Sequence, residues 1–235
     1  ETHGNVIRIK EIDQDAYELT GFMYKLLDKH GWLGAPSVIV EKIKISGEWV
    51  DGPIIVNQYG MAGHEAMAIG VPLDEIEEGA HVHNYKKALN KMMQMGEITP
   101  IKTTEIDKAD APSKAVILKE DDINILDFPF FQTNPGDNGR FINTGNLVTV
   151  DPDQGRNVGT YRMQIKGPRK IGISPEKKQD GWKSLMKTKE NGETVAQAVV
   201  VLGTDPIVFA MSSSKTARTG QDELEIAGGF KGKSI

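Results

Sequence analysis

Asn157-Val158-Gly159-Thr160-Tyr161-Arg162-Met163-Gln164 follows the turn sequence Asp151-Pro152-Asp153-Gln154-Gly155 and has the look of a strand. On a regular strand Val158, Thr160, Arg162 and Gln164 share one face, and Asn157, Gly159, Tyr161 and Met163 share the other. An amide, a bare glycine and an arginine so close together are costly in a sheet unless they meet a polar ligand. Asn157 and Arg162 can reach one site only if the strand twists or bulges between them. Gly159 is the residue that permits this, and it also lets backbone approach a flat ligand. Without a ligand, the same pattern describes a surface edge strand with a solvated arginine.

Outward from this run the second half of the chain reads as strand-rich. Lys114 to Leu118, Phe141 to Asn143, Leu147 to Val150, Val158 to Ile165, Lys170 to Ser174 and Ala196 to Leu202 are candidate strands. Turns such as Pro135-Gly136-Asp137-Asn138-Gly139 and Lys166-Gly167-Pro168 separate them, and strands at this spacing predict a small barrel or sandwich. The first half mixes element types. Apolar residues at Ala16, Leu19, Phe22, Met23, Leu26 and Leu27 predict an amphipathic helix that ends at Gly31. Ser37 to Ile45 and Ile54 to Asn57 read as strands, and His64 to Ile69 and Tyr85 to Met95 as helices, an α/β pattern. The acidic, proline-marked segment Glu105 to Pro112 separates the halves, so the expected domains are 1–110 and 111–235.

Two further clusters are candidate sites. Gly203-Thr204-Asp205-Pro206 leads into Phe209-Ala210-Met211-Ser212-Ser213-Ser214, where hydroxyls and backbone N–H groups could receive a phosphate or a polar cofactor edge, or simply cap a helix. Asp222-Glu223-Leu224-Glu225-Ile226-Ala227-Gly228-Gly229 is acidic like a solvated helix start, but it runs directly into apolar residues and glycines. Oxygen donors of this kind suit magnesium, manganese or calcium. Ala227 through Gly232-Lys233-Ser234 approaches a phosphate-binding loop but lacks the strand before and the helix after that such a loop needs. His81 and His83 read as surface-loop residues, and Met92, Met93 and Met95 as packing residues.

Composition narrows the function classes. The chain has 235 residues, no cysteine and a formal net charge of -5, with the basic residues scattered. Thiolate chemistry and disulfides are excluded, and there is no electrostatic footprint for nucleic acid. No apolar run approaches the ~18 residues of a membrane span, and the polar N-terminus does not read as a signal peptide, so a cytoplasmic protein is expected.

Taken in order, Asp137-Asn138-Gly139-Arg140-Phe141-Ile142, Thr144, Asp151-Pro152, Asn157 to Gln164, Leu202-Gly203-Thr204-Asp205-Pro206 and Glu223 to Gly229 resemble the UbiD family of decarboxylases over nearly the whole chain. The resemblance implies an N-terminal α/β domain, a split β-barrel domain of the FMN-binding kind, and a C-terminal α/β domain that lies outside this chain. It implies a carboxy-lyase that uses prenylated FMN to remove CO2 from, or add it to, an aromatic or α,β-unsaturated acid. By position, Asn157 and Glu223 would ligate Mn2+ or Mg2+ beside the cofactor phosphate, with K+ nearby. Arg162 would be the catalytic arginine, and Thr144, Gly159, Ser212 and Ser213 would line the cofactor.

The implied partners are the acid substrate and CO2, a flavin prenyltransferase that supplies the cofactor, and further subunits in a homo- or hetero-oligomer. The family's usual histidine metal ligand corresponds to Asp180 here, an oxygen donor that adds negative charge. Its glutamates in a Glu-Gly-Pro-Phe-Gly-Glu stretch fall beyond Ile235, so the chain is expected to be about the first half of such an enzyme and inactive alone. Its beginning, Glu1 to Ile9, resembles a segment that follows the family's first helix. Two other classes fit the same residues: a non-catalytic subunit of a multi-subunit carboxylase, and an ordinary FMN-binding oxidoreductase.

Overall fold

The computed structural model describes residues 5–235 apart from Thr216 and Thr219, and the backbone but not the side chains of Met95 and Gly96. Glu1 to Gly4 of the family-like N-terminal segment therefore lie outside the described residues. The chain divides into two compact units that interleave in sequence: Glu1–Gln94 with Ile125–Ile142, and Met95–Asn124 with Asn143–Ile235. Residue 110 falls inside the second unit.

The first unit is built on a three-stranded sheet in the order β1 (Val6–Asp13), β2 (Ser37–Ile45), β3 (Glu48–Val56). β1 runs parallel to β2, and α1 (Glu18–His30) makes the crossover. β2 turns directly into antiparallel β3 at Ser46-Gly47, both with positive φ, and the Asp15 carboxylate accepts both of their N–H groups at 2.7 Å. Leu19 and Leu26 of α1 pack with Ile12, Val38, Val40, Ile43, Ile45 and Ile54 into one apolar core. α2 (Ala62–Ala68) and α3 (His81–Met93) follow.

His81 and His83 are thus first-turn residues of α3 and not loop residues; His83 Nε2 lies 3.0 Å from Glu77 Oε1. Met92 is partly buried, but Met93 is exposed and packs little; the Met95 side chain lies outside the description. Asn84, almost wholly buried, holds the approach to α3: its Oδ1 accepts the Glu77 N–H at 3.1 Å and its Nδ2 donates to the Glu77 carbonyl at 2.7 Å. Asn84→Ala strands both backbone groups, so a loss of about 1–2 kcal/mol is expected in chemical denaturation. A change within a few tenths of that scale would mean that water replaces the amide.

Residues 125–142 return to this first unit. Gln14 Nε2 donates to the Gln132 carbonyl at 2.8 Å, and Thr20 Oγ1 to the Thr133 carbonyl at 2.5 Å. Arg140 gathers the loop before it, donating from Nε to the Phe130 carbonyl and from Nη2 to those of Leu126 and Phe128. Burial lowers the pKa of Arg140.

The second unit carries a four-stranded sheet in the order β6 (Lys170–Ile173), β5 (Gly155–Gly167), β4 (Phe141–Asp151), β7 (Ala198–Val201). Among the described residues this sheet is open and does not close into a barrel. The two short strands expected at 141–143 and 147–150 are the single strand β4. Lys114 to Leu118 is not a strand: Pro112 starts a 3-10 turn through Lys114, and Val116, Ile117 and Leu118 stay exposed with no pairing partner among the described residues. Three helices complete the unit: α4 (Asp180–Glu190), α5 (Pro206–Ser213) and α6 (Glu223–Lys231). α5 starts because Pro206 sits in its first turn and Asp205 caps it, accepting the Ile207 N–H at 3.1 Å while also pairing with Lys231 of α6.

Candidate functional site

β6 pairs with β5 only from Met163 to Gly167, which leaves the first half of β5 without a neighbour on that side. The start of α6 fills the space. Asp222 caps the helix through Oδ1, which accepts the Leu224 N–H at 2.9 Å, while its Oδ2 accepts from Arg156 Nε at 2.8 Å. Arg156 also donates from Nη2 to Thr103 Oγ1 at 3.0 Å, so one guanidinium ties β5, the helix cap and the segment before residue 104 together. With the cap fixed, Glu223 becomes the first helical residue. It is 8% exposed, and its Oε2 accepts the Val158 N–H at 2.8 Å.

Three of the expected metal donors meet here. Asn157, Asp180 and Glu223 line one cavity of about 20 Å³, room for a single water or ion, together with Asp151, Ser184 and Arg218. Among the described residues no three histidine, aspartate or glutamate side chains form an ion site by themselves, and the Asn157 amide oxygen is a further oxygen donor type in this cavity. The charges are unevenly matched. Asp222 pairs with Arg156, and Asp180 Oδ1 lies 2.7 Å from Lys183 Nζ. Glu223 accepts the Val158 N–H and, among the described residues, makes no ion pair. Burial raises its pKa, the Val158 N–H pulls the other way, and Asp222 and Asp180 add to the rise. The Asn157 Nδ2 is a buried donor without a partner among the described residues. A divalent cation against the carboxylates and a phosphate oxygen against this amide would satisfy both, so the donor set fits a metal-phosphate pair.

Tyr161 packs against the start of α4, at the residue next to Asp180. Its ring lies over Gly159, where an added Cβ would come within 2.6 Å of Tyr161 Cε2, and its hydroxyl oxygen receives the Gly181 N–H at the start of α4. Desolvation raises the phenol pKa. Gly159 therefore serves the Tyr161 ring, and from Thr160 onward the strand alternates, with Val158 before it buried as well. Tyr161, Met163 and Ile165 are buried, while Thr160, Arg162 and Gln164 are partly or fully exposed. Asn157 and Arg162 consequently lie on opposite faces of β5, and the single site expected from the sequence becomes two clusters.

The second cluster lies on the Thr160 and Arg162 face. Thr160 Oγ1 is 2.9 Å from Ser212 Oγ and 3.0 Å from Ser213 Oγ, both in the last turn of α5. Asn146 of β4, 1% exposed, joins them. Arg162 is exposed, and its Nε donates to Asn143 Oδ1 at 3.0 Å. Thr144 is exposed on β4, two positions before Asn146. Sequence reasoning missed Arg156, Tyr161, Asn146 and Thr160 as parts of these clusters. Only Asn146, an amide directly before the apolar pair Leu147-Val148, carries a signal that could have found it.

Residues 104–235 match the profile described as the 3-octaprenyl-4-hydroxybenzoate carboxy-lyase Rift-related domain, which places more than half of the chain in a class of carboxy-lyases. The chain belongs to the UbiD family. It is 29% identical over 204 residues to a phenolic acid decarboxylase of Escherichia coli O157:H7, covering 84% of this chain and 40% of that protein. It is 25% identical over 239 residues to the phenolic acid decarboxylase of Sedimentibacter hydroxybenzoicus, covering 98% and 46%. Among solved structures, the vanillic acid decarboxylase of the same organism in its closed form superposes with a TM-score of 0.81 at 23% identity, covering 98% of this chain and 46% of that one. An evolved dimeric UbiD-class enzyme of Pelotomaculum thermopropionicum in complex with prenylated FMN gives 0.76 at 25% identity, covering 100% and 49%. The chain thus spans less than half the length of these relatives.

Proposed function

We propose that the chain is the cofactor-holding portion of a prenylated-FMN-dependent decarboxylase, or carboxylase in the reverse direction, acting on an aromatic or α,β-unsaturated acid. The observation that carries this reading is the buried Glu223 carboxylate, which shares a cavity with Asp180 and with an amide donor that has no partner among the described residues. Asn157, Asp180 and Glu223 would hold Mn2+ or Mg2+ against the cofactor phosphate, with K+ as a second counter-ion. Bound prenylated FMN would supply the electron sink for the charge left when CO2 departs.

The chain's own residues would do the rest by placement. Arg162 offers a planar fork that orients the substrate carboxylate. Thr144, Ser212 and Ser213 would line the cofactor, and Gly159 contributes by seating Tyr161, which aims Asp180. The acid that protonates the product would come from glutamates elsewhere in the complete enzyme. A flavin prenyltransferase would supply the cofactor, and the enzyme would work as an oligomer.

The Asp180 to Lys183 ion pair favours a second reading, a non-catalytic subunit in which the lysine takes the place of the metal. Anaerobic titration of the purified chain with FMN and Mn2+ separates them. Under the first reading the cation tightens flavin binding by at least ~10-fold, and Asn157→Ala removes that enhancement. Flavin binding indifferent to Mn2+ would support the subunit reading, and no flavin binding at all would overturn the cofactor assignment.

A further inference from the structure

The first unit holds a cavity of about 40 Å³ that the reading above leaves unused, and two imidazoles and two thioethers line it: Met61, His64, Met67 and His81. Met61 precedes α2, and His64 and Met67 lie on it at steps of three residues, so the three form one stripe on the helix. His81 opens α3, and its Nε2 takes the space of a side chain at Gly34, where an added Cβ would come within 2.9 Å of it. The Gly34 backbone bridges to Met61, which brings this imidazole to the head of the stripe. The His81 ring makes no hydrogen bond or ion pair among the described residues.

His64 is held in one tautomer. Ser37 Oγ lies 3.1 Å from the Asn57 carbonyl and 3.1 Å from His64 Nδ1. A carbonyl only accepts, so the single Ser37 proton goes to Asn57, and Ser37 Oγ receives the proton of His64 Nδ1. Nε2 is left with a bare lone pair and no partner among the described residues. Burial lowers the His64 pKa, which keeps that lone pair free of a proton at neutral pH. An imidazole whose one N–H is fixed by an outer partner while its other nitrogen is bare is prepared to ligate a metal.

The remaining donors decide which metal. Among the described residues no three histidine, aspartate or glutamate side chains are placed to hold one ion, so the carboxylates of Glu77 and Glu78 on the cavity wall do not complete a set for Zn2+ around the imidazoles. Glu77 is also engaged, by His83 and Lys87. Thioether sulfur is what remains, and it is a ligand for soft cations. All four donors are neutral, which leaves one uncompensated charge with a monovalent ion and two with a divalent one. We propose that Met61, His64, Met67 and His81 form a binding site for Cu+, with Ser37 as the residue that orients His64. The site shares no residue with the Asn157, Asp180 and Glu223 cavity and does not depend on the flavin reading.

The test titrates the full chain anaerobically against a chromophoric Cu+ chelator and, in parallel, against a Zn2+ indicator. One equivalent of Cu+ should leave the chelator, and Zn2+ should stay with its indicator. Met67→Leu conserves the volume of a partly exposed side chain and should melt like wild type, yet weaken Cu+ binding by at least about 10-fold. Ser37→Ala should weaken it by about 10- to 100-fold through loss of the ring's outer partner, and His64→Gln by more than that. His30→Gln, at an exposed histidine outside the cavity, should change nothing. X-ray absorption at the copper edge should show both sulfur and nitrogen neighbours, with a sulfur lost in Met67→Leu. No transfer of Cu+, transfer unaffected by Met67→Leu and His64→Gln, copper bound to nitrogen alone, or equally tight Zn2+ each overturns the inference. None of these results bears on the flavin reading, which is tested with Mn2+ on other residues.

Discussion

Glu223→Ala is expected to lower the affinity of the chain for Mn2+ by about 100-fold or more, the scale above which first-sphere losses fall. Glu223 and Asp151 are the two buried carboxylates lining the cavity, and of the expected metal donors Asp180 already shares its charge with Lys183. Titration calorimetry or the electron paramagnetic resonance signal of free Mn2+ would measure it, and unchanged affinity would place any cation elsewhere. The same carboxylate makes a second, opposite signature without metal. Its pKa is raised in the fold above the usual 4.5, so the folded chain holds a proton that the unfolded chain has released. Stability from this group is therefore full below about pH 4.5 and declines as pH rises through the folded value. Glu223→Gln should flatten that decline in thermal melts of the metal-free chain, and Mn2+ should reverse it in wild type, where binding favours the ionised form. A Glu223→Gln melt that keeps the wild-type slope would assign the pH dependence to another group.

Gly181→Ala should cost about 2–3 kcal/mol by overpacking, although it adds only one methyl in the first turn of a helix. An added Cβ would sit almost on the Tyr161 hydroxyl oxygen and 3.0 Å from Cζ, against a ring held on its other side by the absence of a side chain at Gly159. Tyr161 is 9% exposed and cannot swing out without opening the face it covers. The loss should fall on metal affinity as well as on stability, since moving the ring or the start of α4 moves Asp180. Adding Tyr161→Phe removes the atom nearest the new methyl and should recover part of both. If Gly181→Ala melts like wild type, α4 tolerates a shift and Tyr161 does not aim Asp180.

How much of this was readable in the sequence depends on the kind of signal each element carries. The β-branched run Ser37 to Ile45 and the heptad-like spacing around Leu19 and Leu26 bury one face each, so period alone located them. β1 was missed because Arg8, Lys10 and Glu11 interrupt its apolar residues; its place at the end of the sheet lets those charged side chains stay in water. α4 was missed because its buried residues are Gly181 and Ser184, which carry no hydrophobic pattern. Lys114 to Leu118 misled for the opposite reason, since apolar β-formers make a strand only where a neighbour offers a ladder.

The site divides along the same line. Family resemblance grouped Asn157, Asp180 and Glu223, and the structure brings these three to one cavity. That Asn157 and Arg162 lie on opposite faces was not legible, because the role of Gly159 depends on where the Tyr161 ring goes. Arg156 acts through partners at Asp222 and Thr103, and pairings of that separation leave no trace in a single sequence.

The interleaving of the two units has a practical consequence for anyone dissecting the protein. A single cut between residues 94 and 143 leaves at least one unit missing a piece or carrying a foreign one. A fragment ending at residue 110 would carry the three-stranded sheet but take away the carbonyls of Gln132 and Thr133 that Gln14 and Thr20 hold. It would also carry Thr103 away from Arg156. The units can be isolated only by excision and rejoining, with 125–142 grafted behind residue 94 for one and 95–124 spliced to 143 for the other.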